Sequence, residues 1–262
     1  MKQFLLLGLF ITLKGASLQA QDHSLYEKHW FIQNGDTLPY RILFPENYDP
    51  AKKYSLVLFL HGRGESGTDN EKQLTHGAKL FLNDSTRKKY PAIVVFPQCS
   101  PKSYWSNAQT VMTESKNSKR TFYFVEEGEP SSAMKLVLAL LDNLFKRYPV
   151  QKEQVYVMGL SMGGMGVFEI VRRKPGVFAS AIAICGGAHP ATAPQLINTK
   201  WWVFHGAKDD LVLPEYSEKM VEALKKAKAS VKFTLYPAAN HNSWDPAFAE
   251  PGLLDWLFAQ HK

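Results

Sequence analysis

The sequence predicts an α/β architecture: a mainly parallel sheet, opened by an antiparallel hairpin and covered by helices on both faces. Three observations predict it. Short apolar strands recur at residues 55–60, 92–96, 155–158, 181–184, 201–204 and 232–236, and continuous apolar runs of this length suit strands covered on both faces. Stretches with helical patterning lie between them, and such alternation marks parallel strands joined by crossover helices. Pro149 and Pro175 close two of those stretches, since a proline lacks the N–H that a helix interior needs.

In chain order, MKQFLLLGLFITLKGASLQA comes first. Lys2 precedes an apolar stretch from Phe4 to Leu13, Lys14 interrupts it, and small or polar residues follow. A membrane-spanning helix needs roughly 20 apolar residues. Residues 1–20 are therefore expected to be a secretory signal peptide cleaved after Ala20, with the protein exported to the periplasm or the exterior and no stable membrane anchor. No cysteine follows the leader to accept a lipid. Residues 21–262 then suit a single domain.

Residues 29–33 and 38–44 flank Asn34-Gly35-Asp36, whose first two residues tolerate positive φ, so a β-hairpin should open that domain. The six strands follow, with helices expected at 131–148, 162–174, 215–229 and 253–260. Residues 106–129 are polar and charged yet contain Thr121-Phe122-Tyr123-Phe124-Val125. They read either as a surface loop with a short hairpin or as a lid or pocket edge.

The formal net charge is +7, and +5 once Lys2 and Lys14 leave with the leader. Lys225, Lys226 and Lys228 share one amphipathic helix and read as its solvated face. Without an aromatic-rich basic stripe, no nucleic-acid partner is expected. No pattern suits zinc, haem or a phosphate-cradling loop, so no metal and no cofactor are expected.

The chemistry is concentrated in VYVMGLSMGGMG, residues 155–166. Gly159-Leu160-Ser161-Met162-Gly163 follows a buried strand and opens a helix, the context in which a sharp turn exposes a serine hydroxyl. A hydroxyl is a weak nucleophile until a base takes its proton, and the base needs a carboxylate to fix its tautomer. Asp209, in the loop after residues 201–204, is the expected acid, preferred over Asp210. His241, after the last strand, is the expected base, giving the order Ser, Asp, His. His61 and His205 each precede a glycine at a strand end and are read as loop ties. For the developing oxyanion, the backbone N–H groups of Arg63, in His61-Gly62-Arg63-Gly64-Glu65, and of Met162 are the expected donors.

With those residues in view, the chain resembles the α/β-hydrolase superfamily, in particular secreted bacterial esterases of the predicted-peptidase and polyhydroxybutyrate-depolymerase-like group, related to dienelactone hydrolases. The likeness spans nearly all of the mature chain and rests on LHGRGESGTDN, VVFPQCSPKSYWSN, VYVMGLSMGGMG, and HGAKDD followed by NHNSWD. It implies an eight-stranded sheet in the order 1-2-4-3-5-6-7-8. That order sets Cys99 and Cys185 on strands that are not neighbours, so two buried thiols are expected rather than a disulfide. The resemblance also places Gln98, Trp105 and Trp244 near the substrate pocket and gives Glu65 a role in anchoring the oxyanion loop. Residues 106–129 depart from the pattern in length and charge, and substrate choice stays open there.

The leading expectation is a serine hydrolase acting on carboxylic esters, either small molecules or acetyl and feruloyl groups on plant polysaccharide. A serine peptidase would use the same groups, although the chain has no room for a large gating domain. A binding protein on a retired hydrolase fold is the reading from another class, and the presence of nucleophile, acid, base and oxyanion loop together argues against it. Because an imidazole is a base only when neutral, activity should rise with pH through the histidine range near ~6.5.

Overall fold

A computed structural model describes residues 23–112 and 120–262. The expected signal peptide lies outside the described residues, as does the middle of 106–129. In chain order the elements are β1 (Glu27–Gln33), β2 (Asp36–Leu43), β3 (Tyr54–Leu60), α1 (Ala78–Leu82), α2 (Asp84–Lys89), β4 (Ala92–Pro97), β5 (Ala108–Met112) and β6 (Arg120–Phe124). Then come α3 (Ser132–Arg147), β7 (Val150–Leu160), α4 (Met162–Arg173), β8 (Ser180–Ile184), β9 (Lys200–Gly206), α5 (Glu215–Lys226), β10 (Val231–Tyr236), α6 (Trp244–Phe248) and α7 (Leu253–Phe258).

The main sheet runs β1-β2-β4-β3-β7-β8-β9-β10. Counted without the separate pair β5 and β6, this is the 1-2-4-3-5-6-7-8 order that the α/β-hydrolase resemblance implied. Asn34 and Gly35, at φ 52° and 86°, turn β1 back onto β2, and β2 pairs antiparallel with β4. From β4 through β10 every pairing is parallel, so the carboxyl ends of β3, β7, β8, β9 and β10 share one edge.

Period-two alternation decides what covers each face. Along β3, Leu56, Leu58 and Leu60 join the cluster formed with α3, α4 and α5. Val57 and Phe59 point the other way, to the cluster with α1, α6 and α7. Both faces are dry along β3, β4 and β8, which is why those strands read as unbroken apolar runs. The edge strand β10, expected to be covered on both faces, instead alternates Lys232, Phe233, Thr234, Leu235 and is partly exposed along its length. The helix α3 begins where the Ser131 hydroxyl accepts from the Met134 N–H, and Tyr148 and Pro149 end it. The short helices α1, α2 and α6, of five or six residues, escape sequence analysis because so few positions cannot display a 3.6 period.

Residues Thr121 to Phe124 do form the short hairpin, antiparallel with β5. Phe122 and Phe124 pack on Met165 and Tyr216, and the Phe122 N–H donates to the Tyr216 hydroxyl at 3.1 Å. Its return strand is tied at the base: Arg172 and Arg173 of α4 donate to the carbonyls of Glu126 and Gly128. Cys99 and Cys185 are both buried and unpaired. No helix among the described residues is long and apolar enough to cross a membrane.

Candidate active site

The turn between β7 and α4 places Ser161 at φ 55°, ψ −118°, a conformation that L-residues avoid. Two glycines make it feasible. A Cβ on Gly159 would sit 2.5 Å from the Gly163 carbonyl oxygen and 2.9 Å from that of Leu60, and one on Gly163 would collide with the Leu60 carbonyl itself. The Ser161 N–H donates to the Ile184 carbonyl of the neighbouring strand at 2.9 Å, pinning the turn to β8.

The three residues expected to act together are brought together. Ser161 Oγ lies 2.9 Å from His241 Nε2, and His241 Nδ1 lies 2.8 Å from Asp209 Oδ2. Asp209 is buried, while Asp210 beside it is exposed and gives its N–H to the Asn240 side chain at 3.3 Å. Asn240 Oδ1 also accepts from the His241 N–H at 2.7 Å, so one amide joins the acid and base loops. Gly206 lets those loops meet, since a Cβ there would lie 2.5 Å from the Ala239 carbonyl oxygen.

Asp209 Oδ1 accepts the Leu211 and Val212 N–H groups at 3.0 and 2.9 Å. Burial alone pushes this carboxyl upward. Hydrogen bonds from His205, His241 and the Val212 N–H outweigh burial and bring it well below the ordinary carboxylate range. Ionised Asp209 can only accept, so His241 Nδ1 carries the proton and Nε2 is left with a lone pair for the Ser161 hydroxyl.

The loop after β3 lies against the serine. A Cβ on Gly62 would be 3.6 Å from Ser161 Cβ. The backbone N–H groups of Arg63 and Met162 donate to no backbone acceptor among the described loop and turn hydrogen bonds. The Arg63 side chain turns away and donates to the Ser103 and Pro101 carbonyls at 2.7 and 2.6 Å. His61 secures the loop from beneath. Its Nδ1 donates to the Gly62 carbonyl at 2.6 Å and its Nε2 accepts the Cys99 N–H at 2.9 Å. Burial lowers His61 to about 4, keeping it neutral. Glu65, partly buried under the same loop, is raised by burial and faces His76 at 3.8 Å.

The residues expected at the pocket are disposed differently. Gln98 is fully buried, accepting the Asn70 N–H at 2.7 Å and donating to Asp69 Oδ1 at 3.0 Å. Trp105 is also fully buried and donates to the His61 carbonyl at 3.0 Å. Both brace the loop after β3 from inside, Gln98 through a further bond to the Glu65 carbonyl at 3.3 Å. Trp244 is half-buried and sets its ring edge-on to His241 with 5.4 Å between centroids. An open cleft of about 660 Å³ begins at Arg63 and is bounded by Lys102, Ser103, Tyr104, Ser132 and Thr110 of β5.

Sequence reasoning missed the surroundings of the acid. His205, read as a loop tie, contacts Asp209 Oδ2 at 3.1 Å. The signal available was a histidine inside the otherwise apolar WWVFHG, since a buried polar group in a strand needs partners. Donor atoms of Cys185, Asp209 and His241 lie within 4.8 Å of one another. A metal there would displace the His241–Asp209 hydrogen bond and strip a proton from Cys185, whose thiol is pushed well up by burial.

Residues 34–243 match the model of the Esterase family. The chain is 25% identical to the carboxylesterase SOBER1 of Arabidopsis thaliana over 199 residues, covering 72% of this chain and 83% of that protein. It superposes on a structure of a thermostable esterase with a TM-score of 0.80 and 31% identity, covering 91% of this chain and 64% of that one, so it spans less than two thirds of that relative's length. A ferulic acid esterase of Anaeromyces mucronatus, solved with ferulic acid, shares the fold at a TM-score of 0.63 and 15% identity, covering 92% and 93% of the two chains.

Proposed function

The chain belongs to the Esterase family, and from that premise we infer that it is a serine hydrolase cleaving carboxylic esters through an acyl-enzyme. The observation that carries this reading is the unbroken line from Ser161 Oγ through His241 to Asp209, at 2.9 and 2.8 Å. Ser161 attacks the ester carbonyl carbon as His241 Nε2 takes its proton. The carbonyl oxygen, now negative, is met by the N–H groups of Arg63 and Met162, each donor contributing about 10² to 10³ in turnover. His241 returns the proton to the departing alcohol. Water then repeats the sequence on the acyl-enzyme and frees the acid.

The substrate is a polymer-linked acetyl or feruloyl ester. The open cleft beside Arg63 supports this, since it has room for a leaving group larger than a simple alcohol. In that arrangement Thr110 of β5 forms part of the cleft's edge. The protein is exported after loss of residues 1–20, and amino-terminal sequencing of material from the periplasm or medium tests that. The central test uses p-nitrophenyl acetate and a fluorophosphonate probe with the wild type and Ser161→Ala. Turnover and labelling should both vanish in the variant, and undiminished labelling would remove Ser161 from its role.

A further inference from the structure

Asp209 Oδ2 is shared by two imidazoles. One belongs to His241. The other belongs to His205, a fully buried side chain at the end of β9. Its Nε2 lies 3.1 Å from Asp209 Oδ2 and 2.8 Å from the Val212 carbonyl oxygen. Neither oxygen can donate, so Nε2 carries a proton and donates to both. On the far side of the ring, Nδ1 lies 2.7 Å from Ser217 Oγ of α5, and that hydroxyl is also 2.9 Å from the Gly186 carbonyl oxygen. The ring is thus gripped from α5 and aimed at the carboxylate.

We propose that His205 is a positioning residue for the acid: by donating from Nε2 to Asp209 Oδ2 it fixes the remaining lone pair of that oxygen on His241 Nδ1 and takes up part of the carboxylate's charge. The inference rests on the roles given above to Ser161, His241 and Asp209. With Oδ1 occupied by the Leu211 and Val212 N–H groups, His205 removes the last freedom of the carboxyl to turn. A histidine serving only to tie β9 to α5 needs the Ser217 and Val212 contacts and no more. The bond to Asp209 is the surplus that points to catalysis.

The titratable groups gathered at this carboxylate are His205 from β9, His241 from the loop after β10, and the Cys185 thiol at the end of β8. The thiol stays neutral because burial pushes it upward. Lys208 and Asp210, its neighbours in the chain, are exposed, and α5 contributes the uncharged Ser217. When the His205 donor is lost, the carboxylate presents more of its charge to His241. The imidazolium is then favoured, and the acid limb of kcat/KM moves to higher pH.

The test compares His205→Asn, whose amide reaches only the Nδ1 position beside Ser217, with His205→Gln, whose amide reaches the Nε2 position beside Asp209. Folding is checked by thermal melting, and kcat, KM and the pH profile are measured with p-nitrophenyl acetate. His205→Asn should lose about 10- to 100-fold in kcat, the span of one hydrogen bond to a charged group. Its KM should stay near the wild-type value and its acid limb should rise. His205→Gln should recover most of kcat and the original limb. Ser217→Ala, which loosens the ring without removing it, should show the same displacement in smaller measure and decides the matter if both His205 variants misfold. A His205→Asn enzyme within about twofold of wild type with an unmoved limb, a His205→Gln enzyme as impaired as it, or, where Ser217→Ala decides, an unchanged Ser217→Ala would overturn the proposal. An active Ser161→Ala control would instead sink the serine-hydrolase reading beneath it.

Discussion

At the carboxyl edge of the main sheet, the Asp209 carboxylate accepts four N–H groups, from Leu211, Val212, His205 and His241, and has no orientation left to choose. The β5–β6 arm is held on other terms. Beyond the bonds from Arg172 and Arg173 to the Glu126 and Gly128 carbonyls at its base, Phe122 and Phe124 rest on Met165 and Tyr216, one backbone N–H meets the Tyr216 hydroxyl, and Tyr123 stands exposed. Directional hydrogen bonds fix atoms to within a few tenths of an ångström, whereas apolar packing fixes area and tolerates sliding. The contrast suits the proposed division of labour, with the rim of the sheet holding a fixed reaction and the arm meeting a substrate whose shape can vary.

The sharpest way to break this division is at the rim. Ser161→Ala should reduce kcat by about 10⁵-fold or more, since the residues of such a set act as a unit. Asp209→Asn comes next, at about 10⁴-fold, because an amide in that place favours the wrong His241 tautomer. Asp210→Asn, one residue away and exposed, should stay within about twofold, and steady-state kinetics on one ester separates the pair. If the two asparagine variants matched, the acid would be misassigned.

The effect of pH is intermediate and sharpens the comparison. Asp209 is held well below the ordinary carboxylate range by its hydrogen bonds, against the upward push of burial, so it stays ionised throughout the histidine range. The acid limb of kcat/KM should therefore show a single proton, with activity rising as pH rises. The same depression has a consequence for stability. Its contribution is complete above the unfolded value of about 4 and is lost as pH falls below it toward the folded value. Melting curves between pH 2 and 7 should show Asp209→Asn losing its deficit relative to wild type at the acid end.

The smallest effects belong to the arm. Tyr216→Phe removes the acceptor of the Phe122 N–H and should leave kcat on p-nitrophenyl acetate within about twofold, while KM for a feruloyl ester rises a few-fold. Equal losses of kcat on both esters would show that the arm works on the chemistry itself and would dissolve the division.

Much of the rim was legible in the sequence because its requirements are local. A buried apolar strand, a glycine, one serine and a helix start fall within the twelve residues of VYVMGLSMGGMG, and Asp209 and His241 each lie in the loop that follows a strand. What escaped depended on contacts between distant segments. His205 and Ser217 meet only because α5 folds back over β9, and nothing in either segment announces the other. Gln98 and Trp105 lie in a block that resembles a pocket, yet their polar atoms are spent on Asn70, Asp69 and His61. The hairpin was half legible: Thr121 to Phe124 carry strand character, while the polar partner strand β5 does not.

The backbone angles at Ser161 carry one more implication. A glycine adopts φ 55°, ψ −118° with far less strain than a serine, which stores roughly 1–3 kcal/mol there. Ser161→Gly should therefore be a dead enzyme that outlasts the living one on heating, with a melting temperature a few degrees higher. A glycine there would trade the Ser161 hydroxyl for a relaxed turn, so thermal endurance and the side chain pull against each other at this one residue.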